Sequence, residues 1–322
     1  MNISREAVIW SYRLFLDREP ENEDIISKWL NLVGSNLELR RAFLQSQEYE
    51  ARNPVSGRLP TLSGHEPEMQ IKEVHSEMEL QALFDHIQNS WQHLGEAEPF
   101  WSVVTSESYL QNNLHAPGVK DGFYQSGTND LARISRILQR NGIDVGRFES
   151  CLEYGCGVGR VTGWLARKFP KVYACDVSRS HMQIADEYLR AAGISNVTMK
   201  HVKSPRDLAD LPRVDFIYSV LVLQHNPPPV IASILKNLIR TLNPGGAIIF
   251  QLPTYRLNYR FSLHDYLGNE GKKREMEMHV LSQKRIFEII DQEGGLPLEV
   301  IEDNYTGFRN KELSNTFLAS KK

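Results

Sequence analysis

Residues 151–160 read CLEYGCGVGR, and the reading of this stretch decides the fold. A short apolar run ends in an acid, Glu153, and three glycines follow at alternate positions: Gly155, Gly157 and Gly159. A residue without a Cβ lets the backbone turn tightly or lets a ligand come close. Dinucleotide-binding loops space their glycines as G-x-G-x-x-G and set a pyrophosphate on a helix N-terminus. Counted from Gly155, the third glycine of that pattern falls on Arg160; counted from Gly157, it falls on Thr162. The pyrophosphate reading fails, and a nicotinamide-dependent oxidoreductase is disfavoured with it.

Outward from the loop, the chain from 128 onward alternates strands and helices. SCLEY, KVYACDV, NVTMKHV, VDFIYSVLVL and GGAIIFQL read as strands, and LEVIEDNY and NTFLASK follow them near the end. RVTGWLARKF, RSHMQIADEYLRAAG, PVIASILKNLIRTL and SQKRIFEIIDQEG read as helices between them. Thr128 or Asn129 is the expected cap of a further helix, DLARISRILQRNG, which Gly142 ends. Short apolar strands alternating with helices predict an α/β fold, a mostly parallel sheet covered on both faces. In such a sheet ligands bind beyond the carboxyl ends of the strands, where the glycine loop falls.

Upstream the pattern is helical. Residues 1–52 hold three segments with helical spacing, parted by DREPENED and GSN, and read as a small all-α module. Residues 53–68 are rich in Pro, Gly and Ser and read as a linker. Residues 69–127 read as a helical cap, and 128–322 as the α/β domain.

Composition narrows the class. The 322 residues are 41% hydrophobic and 24% charged, with a net charge of −3. That balance excludes a general pull toward nucleic acid or anionic lipid. No apolar run approaches the length of a membrane span, and the N-terminus lacks the pattern of a signal peptide. Cys151, Cys156 and Cys175 are odd in number and lack metal-ligand spacing, which points to a reduced, cytoplasmic chain. The ten histidines are scattered, and no metal site is expected.

LEYGCGVGR closely resembles the first motif, (D/E)-x-G-x-G-x-G, of the class I S-adenosylmethionine-dependent methyltransferases. VYACDVS resembles the second motif, VDFIYSVLVLQHNPPP the fourth strand and its turn, and LNPGGAIIFQLPT the turn into the fifth strand. The resemblance covers roughly residues 120–322 and implies a Rossmann-like, seven-stranded sheet. It implies that Gly155, Cys156 and Gly157 line the methionine part of the cofactor, with Gly159 completing the loop and Glu153 organising the ammonium. Asp176 takes the ribose hydroxyls, Val177 and Met182 are candidates for the adenine faces, and Ser219 and Val220 flank the cofactor. Tyr124, Ser126 and Gly127 match a Tyr-x-Ser-Gly segment that folds over the cofactor carboxylate in a subset of these enzymes.

The expected reaction is in-line displacement at the sulfonium methyl, in which the protein supplies alignment and a proton sink. His225, after the fourth strand, is the candidate base; the competing reading is a histidine that only positions a loop. NPPP at 226–229 reads as a rigid turn opening a helix. His264, Asp265 and Tyr266 are weaker candidates for acceptor contacts. The N-terminal segment resembles a short helical domain of unknown function found in bacterial proteins linked to cell-surface glycans. That likeness implies a sugar hydroxyl of a surface polysaccharide as acceptor, and a docking role for the module. A small amine or carboxylate acceptor, and a non-catalytic cofactor-binding module, are the alternatives.

Overall fold

The computed structural model describes residues 3–52, 62, 64–268, 276–303, 305 and 312–322. The chain divides into two compact units, Met1–Pro60 and Thr61–Lys322. The linker expected over 53–68 lies largely outside the described residues, as does most of the charged stretch 270–279. Residues 69–127 and 128–322, separate in the sequence reading, belong to one unit.

The first unit is helical: α1 (Arg5–Leu16), α2 (Glu23–Leu32), α3 (Asn36–Leu44) and α4 (Gln47–Arg52). Ser4, Asn22 and Ser35 each accept a hydrogen bond from the backbone N–H three residues on, which starts the first three helices. Three helices were expected where four form. Ser46 accounts for the extra break, because its Oγ accepts from Tyr49 N and donates to Phe43 O. Val8, Tyr12, Leu16, Ile26, Leu39 and Phe43 form the unit's buried core.

The second unit contains β1 (Gln70–Ile71), α5 (Glu77–Ala97), α6 (Val119–Gln125), α7 (Gly127–Arg140), β2 (Ser150–Tyr154), α8 (Thr162–Lys168) and β3 (Lys171–Asp176). There follow α9 (Arg179–Ala191), β4 (Val197–His201), α10 (Pro205–Ala209), β5 (Val214–Ser219), α11 (Pro228–Thr241) and β6 (Leu242–Arg256). The chain ends with β7 (Arg260–Phe261), α12 (Leu263–Leu267), α13 (Gln283–Gln292), β8 (Gly295–Asp303) and β9 (Glu312–Lys321).

Among the described residues, seven strands join one sheet in the order β4-β3-β2-β5-β6-β9-β8. The first five are parallel, and β9 runs antiparallel to both β6 and β8. The chain steps outward from β2 to β4, then returns to place β5 on the other side of β2. This reversal opens a crevice at the carboxyl ends of β2 and β5.

Strand periodicity sorts the core into two layers. Leu152, Ile217, Ile248 and Phe250 pack with α5, α11 and α13 on one face. Cys151, Phe216, Tyr218 and Ile249 pack with α7 and α8 on the other.

Local differences from the sequence reading have physical causes. The cap region is not helical throughout. Gln70 and Ile71 pair in parallel with Arg260 and Phe261, and turns fill much of the stretch between α5 and α6. A capping box of Ser76 and Glu79 starts α5, and Pro99 disfavours its continuation. Helix α7 begins at Gly127 rather than after a Thr128 or Asn129 cap, because Thr128 Oγ1 donates back to Gln125 O. The fourth long strand stops at Ser219, and Leu221 beyond it has a φ of 62°. Helix α10 went unread; Ser204 caps it and Pro205 opens it.

Candidate functional site

The glycine loop is laced to the end of β3. Gly155 N and Cys156 N both donate to Cys175 O, at 2.8 and 2.9 Å, and Gly157 N donates to Asp176 Oδ2 at 2.8 Å. Gly155 and Gly157 have φ of 79° and 52°. A Cβ on Gly155 would lie 2.2 Å from Val222, and one on Gly157 2.7 Å from Val103. Glycine is therefore required twice over, for conformation and for the close approach of the walls.

Those walls enclose a cleft of about 880 Å³, open solvent at its mouth included. Asp130, Glu153, Asp176 and Arg160 are its ionisable groups; Ile87, Trp91, Val103, Val177, Val220 and Val222 supply apolar surface. Ser102, His181, Tyr218 and Asn226 add polar groups.

Each ionisable group is held in place. Asp176 accepts from Gly157 N on one oxygen and from Ser178 N on the other, at 2.8 Å each. Glu153 is 4% exposed and accepts from Thr162 Oγ1 at 2.5 Å. Burial pushes its carboxyl up to about 8, against the opposing pull of Thr162 and Arg160. Arg160 pairs with Asp130 at 2.8 Å, and Tyr218 Oη donates to the other Asp130 oxygen at 2.7 Å. Arg160 Nε is buried without a partner among the described residues.

Of the residues singled out from sequence, Glu153, Gly155, Cys156, Gly157, Asp176, Val177 and Val220 line this cleft. Gly159 instead packs against Ala185, and Ser219 Oγ donates to Tyr154 O behind the wall. Met182 packs with Cys156 and Ala174. Tyr124 is stacked on Tyr188 at 3.6 Å and donates to Val158 O. Ser126 accepts from Arg160 at 3.3 Å, and Gly127 lies against the Arg160 carbonyl. This segment supports Arg160 rather than facing the cleft.

His225 does not line the cleft either. Its Nδ1 is 2.9 Å from Glu277 O, so that nitrogen carries the hydrogen, and Gln224 Nε2 lies 3.3 Å from Nε2. Burial pushes its imidazolium down to about 4. Its ring meets Trp91 edge-on at 5.2 Å. His264 and Asp265 are largely exposed. Sequence reading missed Asp130, His181 and Tyr218, placed Asn226 only in a rigid turn, and used Arg160 only to reject a pyrophosphate. The position of Arg160, directly after the glycine loop, was the available signal.

Residues 151–246 match a protein family described as a methyltransferase domain. Those residues form a methyltransferase domain, and the sheet around them has the Rossmann-like fold of the class I S-adenosylmethionine-dependent methyltransferases.

Its relatives agree with that membership. The domain is 25% identical over 189 residues to the ubiquinone biosynthesis O-methyltransferase of Serratia proteamaculans, covering 58% of this chain and 75% of that one. It is 31% identical over 114 residues to methyltransferase GfsG of Streptomyces halstedii, covering 33% of this chain and 38% of the relative. The fold matches magnesium protoporphyrin IX methyltransferase of Synechocystis PCC 6803, solved with bound SAH, with a TM-score of 0.50 and 18% identity. That match covers 74% of this chain and all of the other.

The cofactor of the methyltransferase domain is S-adenosylmethionine, and the cleft suits it. The cofactor is a cation with a zwitterionic amino-acid end and no phosphate. The cleft offers three carboxyl groups against one guanidinium, and a backbone loop whose glycines permit close approach. Among the described residues no cluster could hold a metal ion, and no helix is long and apolar enough to cross a membrane. The three cysteines are free and buried.

Proposed function

We propose that this protein is an O-methyltransferase whose acceptor is a sugar hydroxyl of a bacterial surface polysaccharide or its cytoplasmic precursor. The cofactor supplies an activated methyl group; the chain supplies binding, orientation and exclusion of water. Asp176 would accept the ribose hydroxyls. Glu153 and Asp130 would face the ammonium, and Arg160 the carboxylate. Val177 would pack on the adenine, whereas Met182, Gly159 and Ser219 would hold the loop and strand ends behind it. Tyr124, Ser126 and Gly127 would hold Arg160. The observation that carries the sugar reading is Trp91, a flat ring that lines the cleft together with the polar Asn226. A pyranose can lay its C–H face on such a ring while its hydroxyls meet the polar groups. The N-terminal resemblance supports the same acceptor, with the module as a docking element.

We assign His225 to holding Trp91 and the Glu277 carbonyl rather than to proton transfer, because both of its ring nitrogens face partners. This favours one second reading. Without a free base in the wall, an acceptor that arrives as a nucleophile, such as a phenolate, carboxylate or amine, would react more readily. A labelled-methyl screen over oligosaccharides, nucleotide sugars, phenols and amines decides the matter. Label on a sugar oxygen supports the first reading, and label on a phenol, carboxylate or amine replaces it. Cofactor binding with no transfer to any acceptor points to a binding module.

A further inference from the structure

Beyond the groups assigned to the cofactor, one buried histidine joins two walls of the cleft. His181, in the first turn of α9, is 1% exposed. Its Nδ1 lies 2.7 Å from Ser178 Oγ and its Nε2 lies 2.8 Å from Ser102 Oγ. Ser102 donates its own hydrogen to Pro99 O at 3.1 Å, so it accepts from Nε2–H, and Ser178 donates to Nδ1. This fixes one neutral tautomer, and burial disfavours the charged form.

The two serines belong to different parts of the site. Ser178 is two residues past Asp176 and donates its backbone N–H to that carboxylate. Ser102 and Val103 belong to the turn after α5, and Val103 closes on Gly157. Helix α5 approaches so closely that a Cβ on Gly95 would lie 2.5 Å from His181 Nδ1. We propose that His181 is a positioning residue that latches the 98–104 segment over the bound cofactor, tying closure of the cleft to the loop that holds Asp176. The latch gives the cleft a wall that must release before the cofactor or its demethylated product can leave.

This inference rests on the cofactor reading, and the test separates the two. Dissociation and association rates of S-adenosylhomocysteine are measured by stopped-flow tryptophan fluorescence on the full chain. The variants are Ser102→Ala, His181→Phe and the pair together. Breaking one buried hydrogen bond at the latch is expected to speed dissociation about fivefold, with association unchanged within about twofold. The double variant is expected to dissociate no faster than His181→Phe alone, because both changes open the same link. If His181→Phe does not fold, Ser102→Ala alone decides. Wild-type dissociation from Ser102→Ala, or rate changes that multiply in the double variant, would overturn the latch. Absence of binding to the wild-type chain would overturn the cofactor reading instead.

Discussion

The backbone N–H of Gly157 donates to Asp176 Oδ2 at 2.8 Å, which locks the glycine loop after β2 to the acid that ends β3. Two motifs that are separate in sequence thus form one rigid edge of the cleft. Asp176→Ala removes that lock and the proposed ribose acceptor together. Hydrogen bonds to a charged group are worth roughly 1.5–3 kcal/mol each, so cofactor affinity should fall by about a hundredfold or more. Titration calorimetry with S-adenosylhomocysteine checks this, and an affinity within tenfold of wild type would remove Asp176 from the binding role.

Glu153 should make cofactor binding depend on pH. Its folded-state carboxyl titrates at about 8, above the ordinary range, because burial disfavours the charge. Near neutral pH the empty site therefore holds a proton there, and a bound ammonium would favour its release. Affinity should rise with pH up to about 8 and then level off. Calorimetry in buffers of different ionisation enthalpy should detect proton release that Glu153→Gln abolishes.

The same group affects stability with a definite sign. A carboxyl whose pKa is raised on folding binds more protons folded than unfolded. Its contribution to stability is present at acid pH and lost as pH rises from the ordinary range toward 8. Glu153→Gln should therefore raise the apo-protein melting temperature relative to wild type at pH 8 by more than at pH 5. Equal shifts at both values would show that Glu153 is ionised in the empty site.

Gly155→Ala tests the loop itself. The new Cβ would meet Val222 at 2.2 Å on a backbone with φ of 79°. Left-handed strain and overpacking together should destabilise the domain by about 2 kcal/mol or more. A thermal melt should show the loss, and cofactor binding should weaken with it.

Arg160 and Asp130 should behave as a pair. Arg160→Met leaves Asp130 in a mostly buried site with only the Tyr218 hydroxyl among its described hydrogen-bond partners. Breaking a buried ion pair costs about 3 kcal/mol, and adding Asp130→Asn should recover part of it. Chemical denaturation of the two single variants and the double gives the coupling; simple additivity would show that the pair is not energetically linked.

The sequence by itself determined the fold class and one edge of the site. Strand–helix alternation specifies a parallel sheet, because each apolar strand must be buried on both faces. Glu153, Gly155, Gly157 and Asp176 were legible through the family resemblance, because the motifs that carry it are local patterns at strand ends. Only the tertiary structure decided the rest. Arg160 meets Asp130 across 30 positions, and Ser102 meets His181 across 79, so no local spacing announces either pair. The buried ring of His225 likewise turned on packing: its place in sequence put it at the ligand end of β5, and the Glu277 carbonyl and Gln224 then occupied its nitrogens. Local pattern carries strand, turn and loop chemistry; which distant side chains share a wall follows from how the layers close.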